Sequence, residues 1–334
     1  MSVPLIKYCP GTLSEGFDTY SPAFLRRMFN GKKVSHILPY DAPQTNEEDT
    51  ASFLANRARI SISGVQEKLS LVLDKNKLRL TEPGEHGTYI LKPIPRDLKN
   101  IAEVPTNEHL TMQIARQVYG INIAECGLIF FKNGSPAYIT KRFDVKADGR
   151  KWGKEDFASL AGKTPITAGP NFKYTGSYEE AAQLLVKYAP AWRVEIEKYF
   201  ALIVFNFLYS NGDAHLKNFS LLETTAGDYI LSPAYDLINT QLHVDDTAFA
   251  LEKGLFGDDF KSETFQKTNS RGREDFIEFG KRIGVNEKRI ESILQPFFER
   301  QAFSETLVSR SMLNDKNKRG YIMEYSAQRN KLIR

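Results

Sequence analysis

Apolar residues recur at every second position in the first half of the chain, and this period of two predicts β-strands. The leucines within residues 69–80 follow it on both sides of a polar turn at 74–77, which predicts a hairpin. A further strand is predicted over 88–92. A second hairpin is predicted over 121–131 and 137–143, because the Asn-Gly pair between these segments is a strong turn signal.

Apolar residues spaced three to four positions apart predict helices. Thr106 is a candidate N-cap for a helix over 106–119, and Gly120 follows the predicted end of that helix. The other predicted helices cover residues 21–29, 178–188, 193–209, 274–283 and 287–301. Strands early in the chain and helices in the rest of it predict an α+β fold.

We expect three parts along the chain of 334 residues, whose length is enough for about two domains. Residues 1–57 form an N-terminal segment with no assigned role, 58–145 form a mixed β/α lobe, and 146–334 form a mainly helical lobe. The boundary between the lobes is expected at the polar, glycine-containing stretch 145–154, where strand patterns give way to helical ones.

Composition restricts the class of protein. The chain carries 45 Lys and Arg against 41 Asp and Glu, and a net charge of only +4 excludes a dedicated polyanion binder. Cys9 and Cys126 are isolated and form no CxxC motif, which is typical of a reducing cytosol and excludes a zinc site. Because no apolar run approaches the roughly 18 residues that span a bilayer, we expect a soluble, cytoplasmic protein that contacts no membrane.

The candidate chemistry begins in residues 211–218. Asp213 and Asn218 are five positions apart, which is the spacing of a kinase catalytic loop. In such a loop the Asp accepts the proton of the attacking hydroxyl, and the Asn coordinates Mg²⁺ next to the phosphates. The simpler alternative is that Asp213 caps a turn.

Asp236 completes this candidate site. It follows a predicted strand at 228–232, which pairs in a hairpin with a predicted strand at 219–222. This hairpin is expected to bring Asn218 and Asp236 close together, and one amide oxygen and one carboxylate beside a phosphate suit Mg²⁺. The alternative is that Asp236 only starts a loop.

The nucleotide-binding half of the site is expected in the first lobe. Lys92 ends an apolar strand and offers a charge for phosphates, and Glu108 near the start of the next helix is expected to pair with it. Glu108 can instead complement the helix dipole.

Residues 61–68 can cover phosphates with backbone N–H groups, and Ser61 and Ser63 are candidate phosphate acceptors. The alternative for this segment is a polar lead-in to the hairpin.

Six segments of the chain form a consistent set of motifs. They are SISGVQEK at 61–68, ILKP at 90–93, NE at 107–108, KRFD at 141–144, GDAHLKNFS at 212–220 and PAYD at 233–236. Together these segments resemble the HipA family of bacterial serine/threonine kinase toxins over roughly residues 58–300. The resemblance implies a two-lobed, protein-kinase-like α+β fold that binds ATP and Mg²⁺ between its lobes, with adenine meeting the backbone of residues 141–143.

The resemblance implies roles for individual residues. Asp213 corresponds to the catalytic base, and Asn218 and Asp236 correspond to the Mg²⁺ ligands. The residues implied to contact ATP are Ser63, Gly64, Val65, Gln66, Glu67, Lys68, Lys92, Lys141, Arg142, Phe143, His215, Lys217, Asn218, Tyr235 and Asp236. Autophosphorylation is implied at Ser61, with Ser63 as a second candidate. A phosphoserine adds a charge of about −1.5 to −2, and we expect it to repel ATP and inactivate the kinase.

The resemblance also implies a biological role. The family contains toxins of type II toxin–antitoxin systems that phosphorylate an aminoacyl-tRNA synthetase, glutamyl for HipA and tryptophanyl for HipT. Fewer residues precede Ser61 than in full-length HipA, which is similar to the shorter HipT branch, whereas residues 64–68 are closer to HipA. The implied partners are a HipB-like antitoxin, which alone would contact DNA, and a HipS-like small protein.

Two alternatives remain open from the sequence. Small-molecule phosphotransferases of the aminoglycoside or choline kinase type use similar catalytic loops, although the Ser-Ile-Ser segment argues against them. A non-catalytic co-repressor bound to an antitoxin would keep the fold without activity, although Asp213, Asn218, Asp236 and Lys92 are all present.

Overall fold

The computed structural model of the chain describes residues 4–42, 67–95 and 99–334. The chain divides into two compact units, and each is discontinuous in sequence. The first unit comprises Met1–Gln113, Ala124–Arg150 and Thr306–Lys318, and the second comprises Ile114–Ile123, Lys151–Glu305 and Arg319–Arg334. The domain boundaries expected from the sequence remain predictions.

Five antiparallel strands of the described chain form the sheet of the first unit. They are β1 (Leu69–Asp74), β2 (Lys77–Leu80), β3 (Tyr89–Lys92), β4 (Cys126–Phe130) and β5 (Pro136–Lys141). Their order across the sheet is β2-β1-β3-β5-β4. Both predicted hairpins and the predicted third strand are confirmed, and the alternating leucines of β1 lie in or against the core.

A short helix, α1 (Pro22–Phe29), packs on this sheet and confirms the helix predicted there. Ser21 caps its N-terminus, because the Ser21 hydroxyl accepts a hydrogen bond from the N–H of Phe24 at 3.3 Å. Phe24 and Phe29 are buried in one core with the strands. Phe24 lies against Gly127 of β4, where a Cβ atom would be 2.6 Å from the ring, so this position needs glycine.

Helix α2 (Val104–Gln117) begins earlier than the sequence predicts. The prediction of Thr106 as N-cap is wrong, because the helix follows directly on a 3₁₀ turn at Ile101–Glu103. Pro105 accounts for the earlier start, since the fixed φ of proline and its missing N–H fit the first turn of a helix. The helix ends close to its predicted end.

The second unit combines a small sheet with helices. Its strands β6 (Lys154–Asp156), β7 (Ser220–Glu223) and β8 (Tyr229–Leu231) are antiparallel in the order β6-β7-β8. Its helices are α3 (Phe157–Leu160), α4 (Pro165–Ala168), α5 (Tyr178–Tyr188), α6 (Trp192–Leu208), α7 (Glu263–Thr268), α8 (Arg273–Arg282) and α9 (Glu287–Phe298). Residues of α10 (Ala302–Arg310) and α11 (Asp315–Leu332) belong to both units.

The predicted elements of the second unit are largely confirmed. The β7–β8 hairpin and the helices α5, α6 and α8 lie where the patterns predict them. The helix predicted over 287–301 ends earlier, at Phe298. Strand β6 was not predicted, since three residues are too few to show a period. None of the helices formed by the described residues is long and apolar enough to cross a lipid bilayer.

Helix α6 is apolar on nearly all of its faces and largely buried from Tyr199 onward. Glu195 of this helix is buried too, and its Oε2 atom accepts a hydrogen bond from the N–H of Leu231 at 3.0 Å. The Nζ atom of Lys198 donates to Oε1 of the same carboxylate at 2.8 Å. Glu195 therefore fixes β8 on α6 just before the chain reaches Asp236.

His109 of α2 gives the fold a pH dependence. Its Nε2 atom lies 3.2 Å from the carbonyl oxygen of Gly11, and its buried Nδ1 atom has no hydrogen-bond partner among the described residues. Burial lowers the pKa of His109 to about 4, against about 6.5 in an unfolded chain. Between these two values the unfolded chain binds a proton that the folded protein does not, so the free energy of unfolding decreases as the pH falls.

We expect the variant His109→Gln to lose stability less steeply than the wild type as the pH falls. The difference in slope is up to about 1.4 kcal/mol per pH unit, because one histidine no longer contributes. Urea unfolding between about pH 6.5 and pH 5 measures it. The matched control is His86→Gln, which changes an exposed histidine. Equal slopes for the wild type and His109→Gln would contradict the prediction.

Candidate active site

Lys92 and Glu108 form a buried ion pair in the first unit. The Nζ atom of Lys92, at the end of β3, donates a hydrogen bond to Oε1 of Glu108 in α2 at 2.6 Å. The two side chains are 5% and 3% exposed, and the predicted pairing is confirmed. Glu108 lies beyond the first turn of α2, so its position is explained by Lys92 and not by the helix dipole. The same Nζ atom lies 5.3 Å from the ring centre of Tyr138.

Residues 141–143, the predicted adenine-contacting segment, begin at the last residue of β5. The backbone N–H of Lys141 donates to the carbonyl oxygen of Glu125 at 2.8 Å, and that of Arg142 donates to the carbonyl oxygen of Thr88 at 2.9 Å. Both N–H groups are therefore engaged within the first unit. A nucleotide contact at this segment would have to use other backbone atoms.

The side chains of Lys141 and Arg142 are paired as well. The Nζ atom of Lys141 donates to Oδ1 of Asn30 at 2.9 Å, and partial burial lowers the pKa of Lys141. The guanidinium of Arg142 binds the carboxylate of Asp144 through two hydrogen bonds of 2.9 and 2.6 Å. This fork geometry fixes the direction of the Arg142 side chain.

The serine-containing segment that the resemblance assigns to ATP lies mostly outside the described residues. Ser61, Ser63 and residues 64–66 fall there, so their roles remain predictions. Glu67 and Lys68 are described, and both are half-buried directly before β1.

The loop of residues 211–218 leaves the buried end of α6 in the second unit. Ser210 has a left-handed φ of 52°, which turns the chain out of the helix. Gly212 then lies so close to Oδ2 of Asp246 and to the carbonyl oxygen of Thr247 that a Cβ atom does not fit. Glycine is therefore a steric requirement directly before Asp213.

Thr240 joins this loop to the segment that follows Asp236. Its hydroxyl donates to the carbonyl oxygen of Ser210 at 2.8 Å and accepts a hydrogen bond from the N–H of Gly212 at 2.9 Å. Its own N–H donates to the carbonyl oxygen of Ser210 at 2.9 Å. Asn211 adds a further link, because its Nδ2 atom lies 3.4 Å from the carbonyl oxygen of Asp236.

Asp213 is exposed, whereas the next three residues, 214–216, are buried. Its Oδ1 atom accepts a hydrogen bond from the hydroxyl of Tyr174 at 2.8 Å. Its backbone carbonyl oxygen accepts one from the N–H of His215 at 2.8 Å. The loop thus presents an accessible carboxylate on a buried support, which is what a general base needs to meet a substrate hydroxyl.

The side chains of Asn218 and Asp236 meet in the second unit. The Nδ2 atom of Asn218 lies 3.3 Å from Oδ2 of Asp236, although the residues are 18 positions apart. The β7–β8 hairpin brings them together, so this predicted proximity is confirmed. Asp236 has a left-handed φ of 57°, a conformation in which Asp is enriched among residues other than glycine. The Oδ1 atom of Asn218 accepts the N–H of His215 at 3.2 Å.

Asn218 and Asp236 alone are too few ligands to hold a metal ion, so further ligands such as water or phosphate oxygens are required. In the part of the chain that the structure describes, no group of three or more His, Cys, Asp or Glu side chains could hold a metal ion. The carboxylate of Asp236 is one hard oxygen ligand, and Oδ1 of Asn218 becomes a second when the amide rotates, because it now turns Nδ2 to Asp236 and Oδ1 to the N–H of His215. Since Mg²⁺ is commonly held by one or two protein ligands together with water and phosphate oxygens, the pair fits a Mg²⁺–nucleotide complex.

His215, Lys217 and Tyr235 belong to the same local cluster of the second unit. The ring of His215 meets that of Tyr174 with 5.2 Å between ring centres, and burial lowers the pKa of His215 to about 4, so its imidazole is neutral at pH 7. The Nζ atom of Lys217 lies 5.9 Å from the ring centre of Phe172. The hydroxyl of Tyr235 donates to the carbonyl oxygen of Lys217 at 2.9 Å.

Three residues of this cluster, Tyr174, Thr240 and Asp246, were not predicted from the sequence. Tyr174 lies in a polar stretch without a period, and Thr240 and Asp246 follow Asp236 in a segment with no long helix or strand. Burial raises the pKa of Asp246, and the nearby charge of Asp213 raises it further. The only feature of the sequence that links any of the three to the site is that Thr240 lies four positions after Asp236.

The sequence of the chain is similar to those of known proteins. The sequence profile of the family described as HipA-like C-terminal domain matches residues 60–303. A Haemophilus influenzae protein named provisionally as a kinase is 26% identical over 316 residues, which cover 90% of this chain and 88% of that protein. The serine/threonine-protein kinase toxin HipA of Shewanella oneidensis is 25% identical over 210 residues, which cover 57% of this chain and 45% of the toxin.

Solved structures share the mixed α/β fold. The structure of the Shewanella oneidensis toxin–antitoxin system HipA and HipB with operator DNA matches with a TM-score of 0.59 and 22% identity, covering 81% of this chain and 63% of that chain. The proinflammatory kinase CtkA of Helicobacter pylori matches with a TM-score of 0.50 and 16% identity, covering 78% of this chain and 93% of that chain. At these identities the likeness is one of fold.

Breaking the Lys92–Glu108 pair leaves a charge buried. We expect Lys92→Met to lower the free energy of unfolding by about 3–5 kcal/mol, and the double variant Lys92→Met/Glu108→Leu to recover most of that loss. Urea unfolding measures both. As a control, Lys267→Met breaks the exposed pair of Lys267 with Glu263 and is expected to change stability far less. Equal losses in the single and double variants would show that the buried charge does not dominate.

Gly212→Ala places a methyl group against Asp246 and the backbone of Thr247. Because backbone has to move, we expect the free energy of unfolding to fall by about 1–3 kcal/mol. Gly257→Ala is the matched control, since the nearest atom to its Cβ would be 3.4 Å away, an ordinary contact. Thermal or urea unfolding compares the two variants. Equal stability would show that the loop before Asp213 accommodates a methyl group without strain.

Proposed function

The chain belongs to the HipA-like C-terminal domain family, and we propose that it is an ATP-dependent kinase that phosphorylates serine or threonine in a protein. The observation that carries the proposal is the contact of Asn218 with Asp236, in the same loop region as the exposed carboxylate of Asp213. A base and two oxygen ligands for Mg²⁺ are the parts that phosphoryl transfer requires. The relatives named as kinases support the same activity.

The proposed reaction uses Asp213 as the general base. Its carboxylate receives the proton of the substrate hydroxyl while the hydroxyl oxygen forms a bond to the γ-phosphorus of ATP. The bond between that phosphorus and the β–γ bridging oxygen breaks, and ADP leaves with the electron pair. Two observations support this role, since the carboxylate is exposed and its Oδ1 atom is already bound by the Tyr174 hydroxyl at 2.8 Å.

The remaining residues are proposed to bind the nucleotide. Mg²⁺ held by Asn218 and Asp236 would supply positive charge that offsets the charge of the phosphates. Lys92 would contact phosphate oxygens, and Glu108 would orient its ammonium group, as their 2.6 Å contact suggests. The other proposed ATP contacts are residues 63–68, residues 141–143, His215, Lys217 and Tyr235.

Autophosphorylation is proposed at Ser61, with Ser63 as the second candidate. Both residues lie outside the described part of the chain, and the proposal is supported by the sequence of residues 61–68. Adding a charge of about −1.5 to −2 to a segment that covers phosphates would repel ATP. Phosphorylation is therefore proposed to switch the kinase off.

We further propose that the chain is the toxin of a toxin–antitoxin system, of the shorter HipT branch. Its relative in Shewanella oneidensis is named a kinase toxin, and the structure of that system contains HipB and operator DNA. This supports a HipB-like antitoxin as a partner, with DNA contacted through it. A HipS-like small protein as a second partner, and tryptophanyl- or glutamyl-tRNA synthetase as the substrate, are supported by the sequence resemblance alone.

Phosphosite mass spectrometry after incubation with Mg-ATP tests the kinase proposal. We expect phosphate on Ser61 or Ser63 of the wild type, and on tryptophanyl- or glutamyl-tRNA synthetase when either is added. Asp213→Asn is expected to lower transfer at least about 10²-fold, because the hydroxyl loses its base. Asp259→Asn, at another exposed aspartate, is the matched control that retains transfer.

Each other outcome of this experiment has a defined meaning. Equal phosphorylation by the wild type and Asp213→Asn would show that Asp213 is not the base. Phosphate on the chain but on neither synthetase would keep the kinase and reject the proposed substrate. Bound nucleotide without phosphate on any protein would favour a small-molecule phosphotransferase or a co-repressor, and assays with aminoglycosides and choline would separate these two.

A further inference from the structure

The 3₁₀ turn Phe172–Tyr174 packs on the loop that carries Asp213, within the second unit. The hydroxyl of Tyr174 donates a hydrogen bond to Oδ1 of Asp213 at 2.8 Å. The Tyr174 ring also meets the ring of His215 nearly at right angles, with 5.2 Å between ring centres. The Nζ atom of Lys217 lies 5.9 Å from the ring centre of Phe172 at the other end of the turn. The turn therefore contacts the loop at three points.

The backbone around Tyr174 is held by groups other than the Asp213 loop. The N–H of Glu252 donates to the carbonyl oxygen of Tyr174 at 2.9 Å, and the Glu252 carboxylate accepts the N–H of Gly176 at 3.1 Å. The Nζ atom of Lys163 donates to the carbonyl oxygen of Thr175 at 2.9 Å. Because these bonds do not involve Asp213, the backbone that carries Tyr174 is held in place independently of the carboxylate that its hydroxyl binds.

We propose that Tyr174 is a positioning residue that aligns the carboxylate of Asp213 for phosphoryl transfer, an inference that rests on the proposed kinase function. A donor on Oδ1 restricts rotation of the carboxylate and leaves Oδ2 to receive the proton of the acceptor hydroxyl. Tyr174 acts through Asp213 and is not assigned a contact with the reacting atoms.

The electrostatic surroundings keep Tyr174 a donor. Burial raises the pKa of its hydroxyl, and the carboxylates of Asp213 and Asp246 raise it further. The hydroxyl therefore keeps its proton at neutral pH and remains a donor to the carboxylate of Asp213.

Tyr174→Phe tests the proposal, because it removes the hydroxyl and keeps the ring against His215. We expect kcat for protein phosphorylation to fall about tenfold or more, with the KM for ATP unchanged, since a hydrogen bond to a charged group is lost. Tyr188→Phe, at an exposed position of α5, is the matched control.

A second measurement does not require activity. A double-mutant cycle of Tyr174→Phe and Asp213→Ala on the free energy of unfolding reports the hydrogen bond directly, and we expect non-additive effects. Additive effects, or a variant Tyr174→Phe with wild-type kcat, would overturn the role of Tyr174 and leave the kinase function standing. So would a rise in the KM for ATP as large as the loss of kcat, since that is the result of a wider structural defect. A wild type that transfers no phosphate would overturn the proposed function itself.

Discussion

The hydroxyl of Thr240 holds the candidate site of the second unit together. It donates to the carbonyl oxygen of Ser210 and accepts from the N–H of Gly212, so one side chain fixes both ends of the turn before Asp213. Thr240 follows Asp236 closely in sequence, and these bonds therefore tie the loop of the proposed base to the segment of a proposed metal ligand. Gly212 allows the two segments to approach this closely, because a Cβ atom at this position does not fit against Asp246 and Thr247.

The first unit depends on a different physical constraint, the burial of a charged pair. Lys92 and Glu108 are 5% and 3% exposed, and desolvating two charges costs as much as their attraction returns. Apolar residues of similar size would stabilise this position at least as well. The pair is therefore better explained by a function that needs an oriented ammonium group than by stability. The contact with the Tyr138 ring, at 5.3 Å from its centre, restricts that ammonium group further.

The parts of the fold that the sequence predicts are those with a local period. The hairpin of β1 and β2 follows from alternating leucines around a polar turn, and α5 follows from its apolar spacing. The start of α2 was mispredicted at Thr106, because a proline in the first turn was not weighed against an N-cap signal. Strand β6 could not be predicted, since three residues carry no period and it forms only by pairing with β7.

The same distinction explains what could be predicted of the site. Asp213 and Asn218 are linked by a short spacing, and Asn218 and Asp236 by one hairpin, so both relations can be derived from the sequence. Tyr174 binds Asp213 from 39 positions away, and Thr240 reaches Gly212 from 28, through segments that carry no pattern. The sequence thus identifies the groups that would perform the chemistry. What aligns them arises from tertiary packing alone, and for this reason the alignment of Asp213 could be inferred only from the folded chain.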